Sequence, residues 1–298
     1  MKVAITGASG LIGSALVPHL RSVGHEVVRL VRRPAAAPDE VTWDPAAGTV
    51  DLEGLAGVEG VIHLAGAGVG DHRWSDEYKR EILDSRVDGT HTIVQAMSQL
   101  DPLPRVLVSA SAIGWYGDTG DAVVDETQPA GQGFLADVVR AWEAAADPAA
   151  SAGIRVVHPR TGLVVAKGGG AWARMFPLFK LGLGGKLGPG TQWWSWISLR
   201  DEVCALQFLL EQDHLSGPVN LTGPQPATNA EITSVMGSVL GRPTFLAAPT
   251  FALKAVLGEF SSEVLGSARV VPTVLQGAQF GFQDATVESA IRTALATP

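Results

Sequence analysis

The chain has 298 residues, of which 46% are hydrophobic and 17% charged, and its formal net charge is −8. This composition is typical of a globular protein with a full hydrophobic core and excludes a disordered chain. The acidic balance argues against nucleic acid or an anionic membrane surface as the main partner. With no signal-peptide pattern and no apolar run of about 20 residues, we expect a cytoplasmic protein without membrane spans.

The first half of the chain alternates apolar strands with amphipathic helices. Strands are predicted at residues 2–7, 25–33, 60–66, 105–111 and 154–160. Helices are predicted from residue 11 to Gly24, from Trp74 to Leu100, and from Phe134 to Ala152. Because repeated βα units of this length require right-handed crossovers, they predict an α/β fold with a doubly wound parallel sheet of the Rossmann type.

The composition and the periodicity of the sequence change after Arg160. Residues 167–197 are rich in glycine and aromatic residues, which predicts a loop-rich substrate region rather than a packed core. Further helices are predicted near residues 199–212, 228–241 and 284–296. We therefore predict a Rossmann domain over residues 1–165 and a smaller C-terminal substrate region over 166–298, with parts of 195–225 packing back on the first domain.

The segment "TGASGLIG" lies between the first strand and the first helix and spaces Gly7, Gly10 and Gly13 as GxxGxxG. Gly7 permits a tight turn, Gly10 lets a pyrophosphate approach the backbone, and Gly13 lets the helix pack close to the strand. The helix N-terminus then offers N–H groups and a positive dipole end to phosphate. This context predicts a dinucleotide site. Its further contacts are expected at Ser9, Leu11 and Ile12.

Basic residues end the second strand, where proteins that prefer NAD carry a carboxylate for the ribose 2′-hydroxyl. Arg32 and Arg33 suit a 2′-phosphate instead and predict NADP(H) in preference to NAD(H). The alternative interpretation is two solvated surface arginines. The third strand ends in small residues beside the expected path of the adenosine, so cofactor contacts are also predicted at Leu64, Ala65 and Gly66.

These motifs together resemble the extended branch of the short-chain dehydrogenase/reductase superfamily, which handles nucleotide sugars. The resemblance is carried by "TGASGLIG", "VIHLAGAGV", "SASAIGWYG", "FLADVVRAWEAAA", "GIRVVHPRTGLVV", "GLGGKLGPGTQWWSWI" and "NLTGPQP". These segments are spread along the whole chain and are similar to one bacterial subgroup described as nucleoside-diphosphate-sugar epimerases. The resemblance implies redox chemistry with a nicotinamide cofactor on a small-molecule substrate.

The chain departs from this superfamily at its acid/base pair. In the family a tyrosine transfers the proton and a lysine four residues later lowers its pKa, since a phenol of pKa about 10 serves poorly at neutral pH. In this chain the tyrosine position is Phe134 or Leu135, and the lysine position is Val138 or Val139. The pattern Tyr-x-x-x-Lys occurs nowhere in the sequence.

Polar residues around the end of the fourth predicted strand are the remaining candidates for the reaction. The resemblance implies that Ser111 holds the substrate oxygen, and Tyr116 follows in the same loop. Ser109 and Arg160 are expected beside the cofactor. The alternative for Tyr116 is an aromatic plug beside Trp115, and the alternative for Arg160 is a structural ion pair.

Cations and flat rings in the second half suit a nucleotide-sugar diphosphate. Substrate contacts are predicted at Arg174, Lys186, Gln192 and Trp193, and the alternative is basic side chains that cover an aromatic core. The scattered histidines predict no metal site, and the single cysteine, Cys204, excludes an internal disulfide.

The sequence therefore predicts an NADP(H)-binding protein of the epimerase/dehydratase type that lacks the usual Tyr-x-x-x-Lys pair. The alternative is a non-catalytic, dinucleotide-sensing regulatory protein. The expected partner is a small-molecule substrate such as a nucleotide sugar, with neither nucleic acid nor membrane, in a monomer or homodimer.

Overall fold

The computed structural model describes residues 1–296. Its strands are β1 (Lys2–Thr6), β2 (Glu26–Val31), β3 (Glu40–Asp44), β4 (Thr49–Val50), β5 (Gly60–His63), β6 (Val106–Ser109), β7 (Ser111–Ala112), β8 (Val123–Val124), β9 (Arg155–Thr161), β10 (Leu163–Val165), β11 (Gly185–Leu187), β12 (Trp193–Trp194), β13 (Trp196–Ser198), β14 (Gly217–Leu221), β15 (Ala227–Thr228), β16 (Leu246–Ala248) and β17 (Arg269–Val270).

The α-helices are α1 (Leu11–Ser22), α2 (Asp76–Met97), α3 (Phe134–Ala144), α4 (Asp147–Ser151), α5 (Gly170–Lys180), α6 (Leu199–Glu211), α7 (Asn229–Leu240), α8 (Thr250–Leu257), α9 (Ser261–Leu265), α10 (Thr273–Gly277) and α11 (Val287–Ala296). Short 3-10 turns lie at Glu53–Leu55, Ile113–Tyr116 and Gly258–Phe260.

Within residues 1–296, nine strands form one sheet in the order β14-β9-β6-β5-β1-β2-β3-β4, with β7 paired to β9 beside this path. All neighbours are parallel except β3 and β4. The doubly wound parallel sheet predicted from the repeated βα units is thereby confirmed. The carboxyl ends of β1, β5, β6 and β9 meet at one edge of the sheet, which is where open α/β sheets bind ligands.

Alternation along the strands divides the core of this sheet between its two faces. Val3 and Ile5 of β1 pack with apolar residues of α1 and α6, such as Leu16 and Leu206. Ala4, between them in sequence, packs on the opposite face with residues of α2. Helices therefore cover both faces, which is why the parallel strands read as continuous apolar runs.

The structure corrects three details of the predicted elements. Strands β3 and β4 extend the sheet beyond β2, in a stretch where the sequence predicted none. The helix expected from Phe134 to Ala152 is divided into α3 and α4. Residues 167–197 contain α5 and a large part of a second core rather than a loop-rich region, because their aromatic side chains pack against α7 and α11. Those buried aromatic side chains are Trp172, Phe176, Phe179, Trp194 and Trp196.

One strand from the second half of the chain completes the large sheet, and one helix from the same half covers part of it. β14 pairs in parallel with β9 over five residues, and α6 packs against α1. The division of the chain into residues 1–165 and 166–298 stays a prediction.

Candidate functional site at the carboxyl edge of the sheet

The ends of β1 and β5 are joined by a threonine hydroxyl. Thr6 Oγ1 accepts hydrogen bonds from the backbone N–H groups of Leu64 at 3.0 Å and Ala65 at 3.2 Å. It also lies 2.7 Å from Nδ1 of His63, which is fully buried. Burial, helped by the nearby Arg86 cation, lowers the pKa of His63 to about 4, so this imidazole is a neutral packing residue at physiological pH.

The glycine loop has the geometry that its sequence predicts. Gly7 adopts a positive φ of 66°, which favours glycine. A Cβ at Gly13 would overlap the carbonyl oxygen of Gly7 and lie 2.8 Å from Cα of Ala8, so the helix approaches the loop as closely as the backbone allows. Gly10 is the N-cap of α1 and is exposed, as is Ser9. The first N–H groups of the helix are thus open to an anion from outside.

A cleft of about 670 Å³ opens beside this loop and is lined by α1 as far as His19, by residues 165–169, by the start of α6 and by α11. Ser9, Gly10 and Leu11 line it from the loop side, whereas Ile12 packs against the core of the sheet. Leu64 and Ala65 are half-buried and Gly66 is exposed at the end of β5. The residues predicted for the cofactor therefore lie around one edge of the sheet.

The structure separates the two arginines at the end of β2. Arg33 donates to both carboxylate oxygens of Glu40, at 2.8 Å and 2.7 Å, and the hydrogen bond from Arg33 holds the pKa of Glu40 at about 2. Arg32 is exposed, and within residues 1–296 its side chain has no hydrogen bond or ion pair. In sequence the two arginines look equivalent, because the partner of Arg33, Glu40, lies on β3, a strand that the sequence did not predict. Arg32 is the guanidinium left for a ligand.

Ser111 belongs to a buried network of charged side chains. Its hydroxyl donates to Oε1 of Glu143 at 2.5 Å. The Glu143 carboxylate also accepts from Nε and Nη2 of Arg160, at 2.8 Å and 2.9 Å. These three residues are 4%, 9% and 2% exposed, so the network is closed to solvent. The structural ion pair, left open for Arg160 from the sequence, is present.

The hydroxyl of Tyr116 is engaged on both sides. It donates to Oδ1 of Asn220 at 2.8 Å and accepts from Nη1 of Arg160 at 3.2 Å. Its ring is buried and packs with Val124 and Val270. Burial raises the pKa of Tyr116 even though Arg160 opposes the shift. The geometry fits an aromatic plug better than an acid/base residue.

The structure shows which residues of the two alignments face the loop after Ser111. A Cβ added at Gly114 would lie 3.3 Å from Cβ of Leu135 and 3.8 Å from Cγ2 of Val139, so these residues face the loop after Ser111. Phe134 and Val138 pack in the hydrophobic cluster of Trp74, Tyr78 and Ile82, which Leu135 also joins. The ring of Phe134 lies 4.9 Å from that of Trp74.

The face of α3 turned towards the loop after Ser111 carries apolar residues where one of the two alignments puts the family's pair. Leu135, Val139 and Glu143 are spaced four residues apart and share one face of the helix. The charged group on that face is Glu143, one turn beyond the lysine position, where it holds Ser111 and Arg160.

The residues predicted for the substrate make separate internal contacts. Arg174 donates to the carbonyl oxygen of Gly70 at 2.8 Å. Gln192 is buried and donates to the carbonyl oxygen of Leu187 at 2.9 Å. The indole of Trp193 donates to Asp121 at 3.1 Å, and the guanidinium of Arg269 lies 4.0 Å from its ring centre. Lys186 is exposed on β11. Their role as substrate contacts stays a prediction.

Sequence reasoning missed several residues of this edge. Glu143 and Asn220 lie far from Ser111 in sequence. The local features that could have pointed to them are a carboxylate in the apolar helix α3 and an amide in the apolar strand β14. Arg86 is also buried, and it donates to the carbonyl oxygens of Ala67 at 3.0 Å and Ile82 at 2.9 Å.

Ser109, which was predicted beside the cofactor, is fully buried, and its Oγ has no partner within the part of the chain that the structure describes.

Over residues 1–296, no group of three histidine, cysteine, aspartate or glutamate side chains is placed to hold a metal ion. In the same range, no helix combines the length and the apolar character needed to cross a bilayer. Burial raises the pKa of the Cys204 thiol, which fits an inert cysteine.

Comparison with family models matches residues 3–221 to the NAD dependent epimerase/dehydratase family and residues 248–294 to a domain of unknown function, DUF1731. An epimerase family protein of Mycobacterium bovis is 47% identical over 297 residues, which is 99% of this chain and 98% of the relative.

Two solved structures are also similar to this chain. The human epimerase family protein SDR39U1, crystallised with NADPH, has a TM-score of 0.91 at 30% identity, with all of both chains covered. A nucleoside-diphosphate sugar epimerase of Corynebacterium glutamicum has a TM-score of 0.82 at 34% identity, covering 99% of this chain and 58% of the other.

Proposed function

Because the chain belongs to the NAD dependent epimerase/dehydratase family, we propose that it binds NADP(H) and catalyses redox chemistry on a hydroxyl or carbonyl substrate. The observation that carries this proposal is the glycine loop, where Gly7 and Gly13 leave no room for a side chain. The NADPH bound to human SDR39U1 supports the choice of cofactor. When bound, NADP(H) supplies or accepts the hydride.

Each part of the cofactor has a proposed group in this chain. The pyrophosphate would lie on the N–H groups at the start of α1, beside Ser9 and Gly10. The 2′-phosphate would be bound by Arg32, while Arg33 keeps its ion pair with Glu40. The adenosine would pass the end of β5, where Ala65 and Gly66 leave room for it and Leu64 would contact it.

For the substrate, we propose a nucleotide sugar as the first class to test, because the similar protein of Corynebacterium glutamicum is described as a nucleoside-diphosphate sugar epimerase. Ser111 lies next to the loop that faces Leu135, and its hydroxyl oxygen keeps a lone pair that can accept a hydrogen bond from a substrate hydroxyl while its own proton goes to Glu143.

A non-catalytic dinucleotide sensor is the second candidate. It is favoured by the apolar side chains of Phe134, Leu135, Val138 and Val139, because neither alignment puts a tyrosine and a lysine at the positions of the family's pair. It is also favoured by the hydroxyl of Tyr116, which is engaged by Asn220 and Arg160. Loss of a positioned acid/base group costs about 10²–10⁴-fold in rate, so a sensor and a slow enzyme differ by turnover and not by cofactor affinity.

Titration with NADPH and NADH, followed by nicotinamide fluorescence, tests the cofactor proposal. Gly10→Ala should weaken NADPH binding by about tenfold or more, since an added Cβ would lie in the loop proposed for the pyrophosphate, 3.3 Å from the carbonyl oxygen of Gly7. The matched control is Gly281→Ala, where an added Cβ meets nothing within 4 Å. Equal affinity of the unmodified protein for both cofactors would contradict the role of Arg32.

Turnover then separates the two candidates. We expect conversion of one member of a panel of UDP-sugars, ketoses and aldehydes, followed as NADPH oxidation, as NADP⁺ reduction, or as an epimer formed without net change of the cofactor. Ser111→Ala should lose that rate and retain the cofactor affinity. Tight NADPH binding without turnover across the panel would favour the sensor.

A further inference from the structure

The charge of the chain is distributed unevenly. Residues 166–191 and 241–258 contain six basic residues and no acidic residue, in a protein whose net charge is −8. The basic residues are Lys167, Arg174, Lys180, Lys186, Arg242 and Lys254. The net charge therefore conceals a local positive region, and a statement about partners has to be made for that region separately.

The two basic segments are joined in the fold. Strand β11, from the first segment, pairs in parallel with β16, from the second, with Lys186 opposite Ala247. A Cβ at Gly182 would contact the ring of Pro243, and one at Gly188 would lie 3.1 Å from Oγ1 of Thr250. The end of α5, β11, β16 and α8, with the loops between them, thus form one region, which we call the basic apolar surface.

Exposed apolar side chains are concentrated in the same region. Ten large hydrophobic residues are exposed in the part of the chain that the structure describes, and seven of them belong to this surface. They are Leu178, Leu181, Leu183, Phe245, Leu246, Phe251 and Val256. Phe245 is 80% exposed and Phe251 is 76% exposed. Over its eight residues Thr250–Leu257, α8 has no buried side chain. Apolar clusters of this kind mark interaction sites.

The cations of the surface are available to a partner. Lys180, Lys186, Arg242 and Lys254 are exposed, and within residues 1–296 none of them has an ion pair or a side-chain hydrogen bond. A second copy of the same surface would bring these like charges together at an unfavourable Coulomb energy. The charges instead complement an anionic partner that also accepts apolar side chains.

We propose that the basic apolar surface docks this protein on a membrane surface that contains anionic lipids. Lysine and arginine would lie among the headgroups, and exposed phenylalanine and leucine side chains would enter the boundary with the acyl chains. Each juxtamembrane cation contributes about 1 kcal/mol of attraction to an anionic leaflet. Attachment of this kind is peripheral and needs no spanning helix, and it goes beyond the proposed redox function.

Vesicle flotation with the full chain tests this proposal. We expect binding to vesicles of phosphatidylcholine with 30% phosphatidylglycerol, at least about tenfold weaker binding to pure phosphatidylcholine, and release on raising the salt concentration, since surface charges are screened beyond about 8 Å at physiological ionic strength. Equal binding to both vesicles, or binding to neither, would overturn it.

Variants locate the interaction on the surface. Lys180→Glu and Lys254→Glu should each weaken binding to the anionic vesicles by about fivefold or more, and Phe251→Ser by about tenfold. The matched control is Val123→Ser, because Val123 is 53% exposed but lies outside the surface. Equal loss in the control and in Phe251→Ser would refute the assignment.

Other occupants give different results. Light scattering that shows a dimer in the unmodified chain and a monomer in Phe251→Ser would assign the surface to a second copy and refute membrane docking. An acidic amphipathic peptide that binds the surface while anionic vesicles do not would refute it as well. Circular dichroism and the melting temperature of each variant verify that the substitutions leave the fold intact.

Discussion

Replacing Glu143 by glutamine is expected to destabilise the protein by about 3–5 kcal/mol, because it leaves a buried cation without its partner. The side chain of Arg160 is 3% exposed and that of Glu143 is 11% exposed, so solvent cannot take over the lost charge. The carboxylate accepts three hydrogen bonds, one from Ser111 and two from Arg160. At about 2–4 °C per kcal/mol for a chain of this size, the melting temperature should fall by about 10 °C.

Urea denaturation followed by tryptophan fluorescence measures this effect. The matched control is Glu288→Gln, because Glu288 makes a similar contact of 2.7 Å with Arg292 but both side chains are more than half exposed. That variant should change the free energy of unfolding by no more than about 0.5 kcal/mol. The double variant Glu143→Leu with Arg160→Met should recover much of the loss, since a buried ion pair is often replaced by apolar side chains at little cost.

A free energy of unfolding of Glu143→Gln within about 1 kcal/mol of that of the unmodified protein would contradict this prediction. So would a double variant that is as unstable as the sum of its two single variants. Either result would mean that the pair is not what holds the loop after Ser111 in place. Ser111→Ala removes one hydrogen bond to the same carboxylate and should cost about 1 kcal/mol, which separates its contribution from that of the ion pair.

Further predictions concern buried titratable groups and the cofactor arginine. The pKa of His63 is about 4 in the folded chain and about 6.5 when unfolded, so the unfolded state binds the proton first as the pH falls. The free energy of unfolding should therefore fall by about 3 kcal/mol between pH 6.5 and pH 4, and it should depend less on pH in His63→Gln. Burial raises the pKa of Glu202 to about 8, so its cost grows between about pH 4.5 and 8, and Glu202→Gln should be more stable than the parent at pH 8 but not at pH 4 in urea titrations. Tyr116→Phe should lower the free energy of unfolding by about 1–3 kcal/mol by leaving Asn220 and Arg160 short of a partner; an unchanged denaturation midpoint would contradict this. Arg32→Ala should weaken NADPH binding by about 10- to 150-fold with NADH binding unchanged, and a parallel loss for both cofactors would contradict the assignment.

The order of βα units and the glycine loop were predictable because each depends on local information. Apolar runs mark buried strands, and glycine at positions 7 and 13 is required by a turn and a close approach within a few residues of each other. The site end of the fold could be located for the same reason, since the carboxyl ends of parallel strands share one edge.

What the sequence could not show depends on contacts between distant residues. Arg32 and Arg33 are equivalent in sequence, and Glu40 on β3 distinguishes them. Glu143 reads as one charge on an amphipathic helix until α3 is packed beside β7 and β9, where it meets Ser111 and Arg160. The tryptophans of residues 167–197 resemble a ligand surface in sequence, but Trp172, Trp194 and Trp196 pack with α7 and α11 as part of a core.

The place of β14 beside β9 has a consequence for synthesis of the chain. Because this strand and α6 both follow residue 198, the large sheet is incomplete until residue 221 has left the ribosome. A nascent chain that ends at residue 165 exposes the free edge of β9 together with apolar residues that α6 covers in the finished protein. The nucleotide-binding half is thus expected to depend on chaperones, or to stay partly unfolded, until the second half begins to emerge.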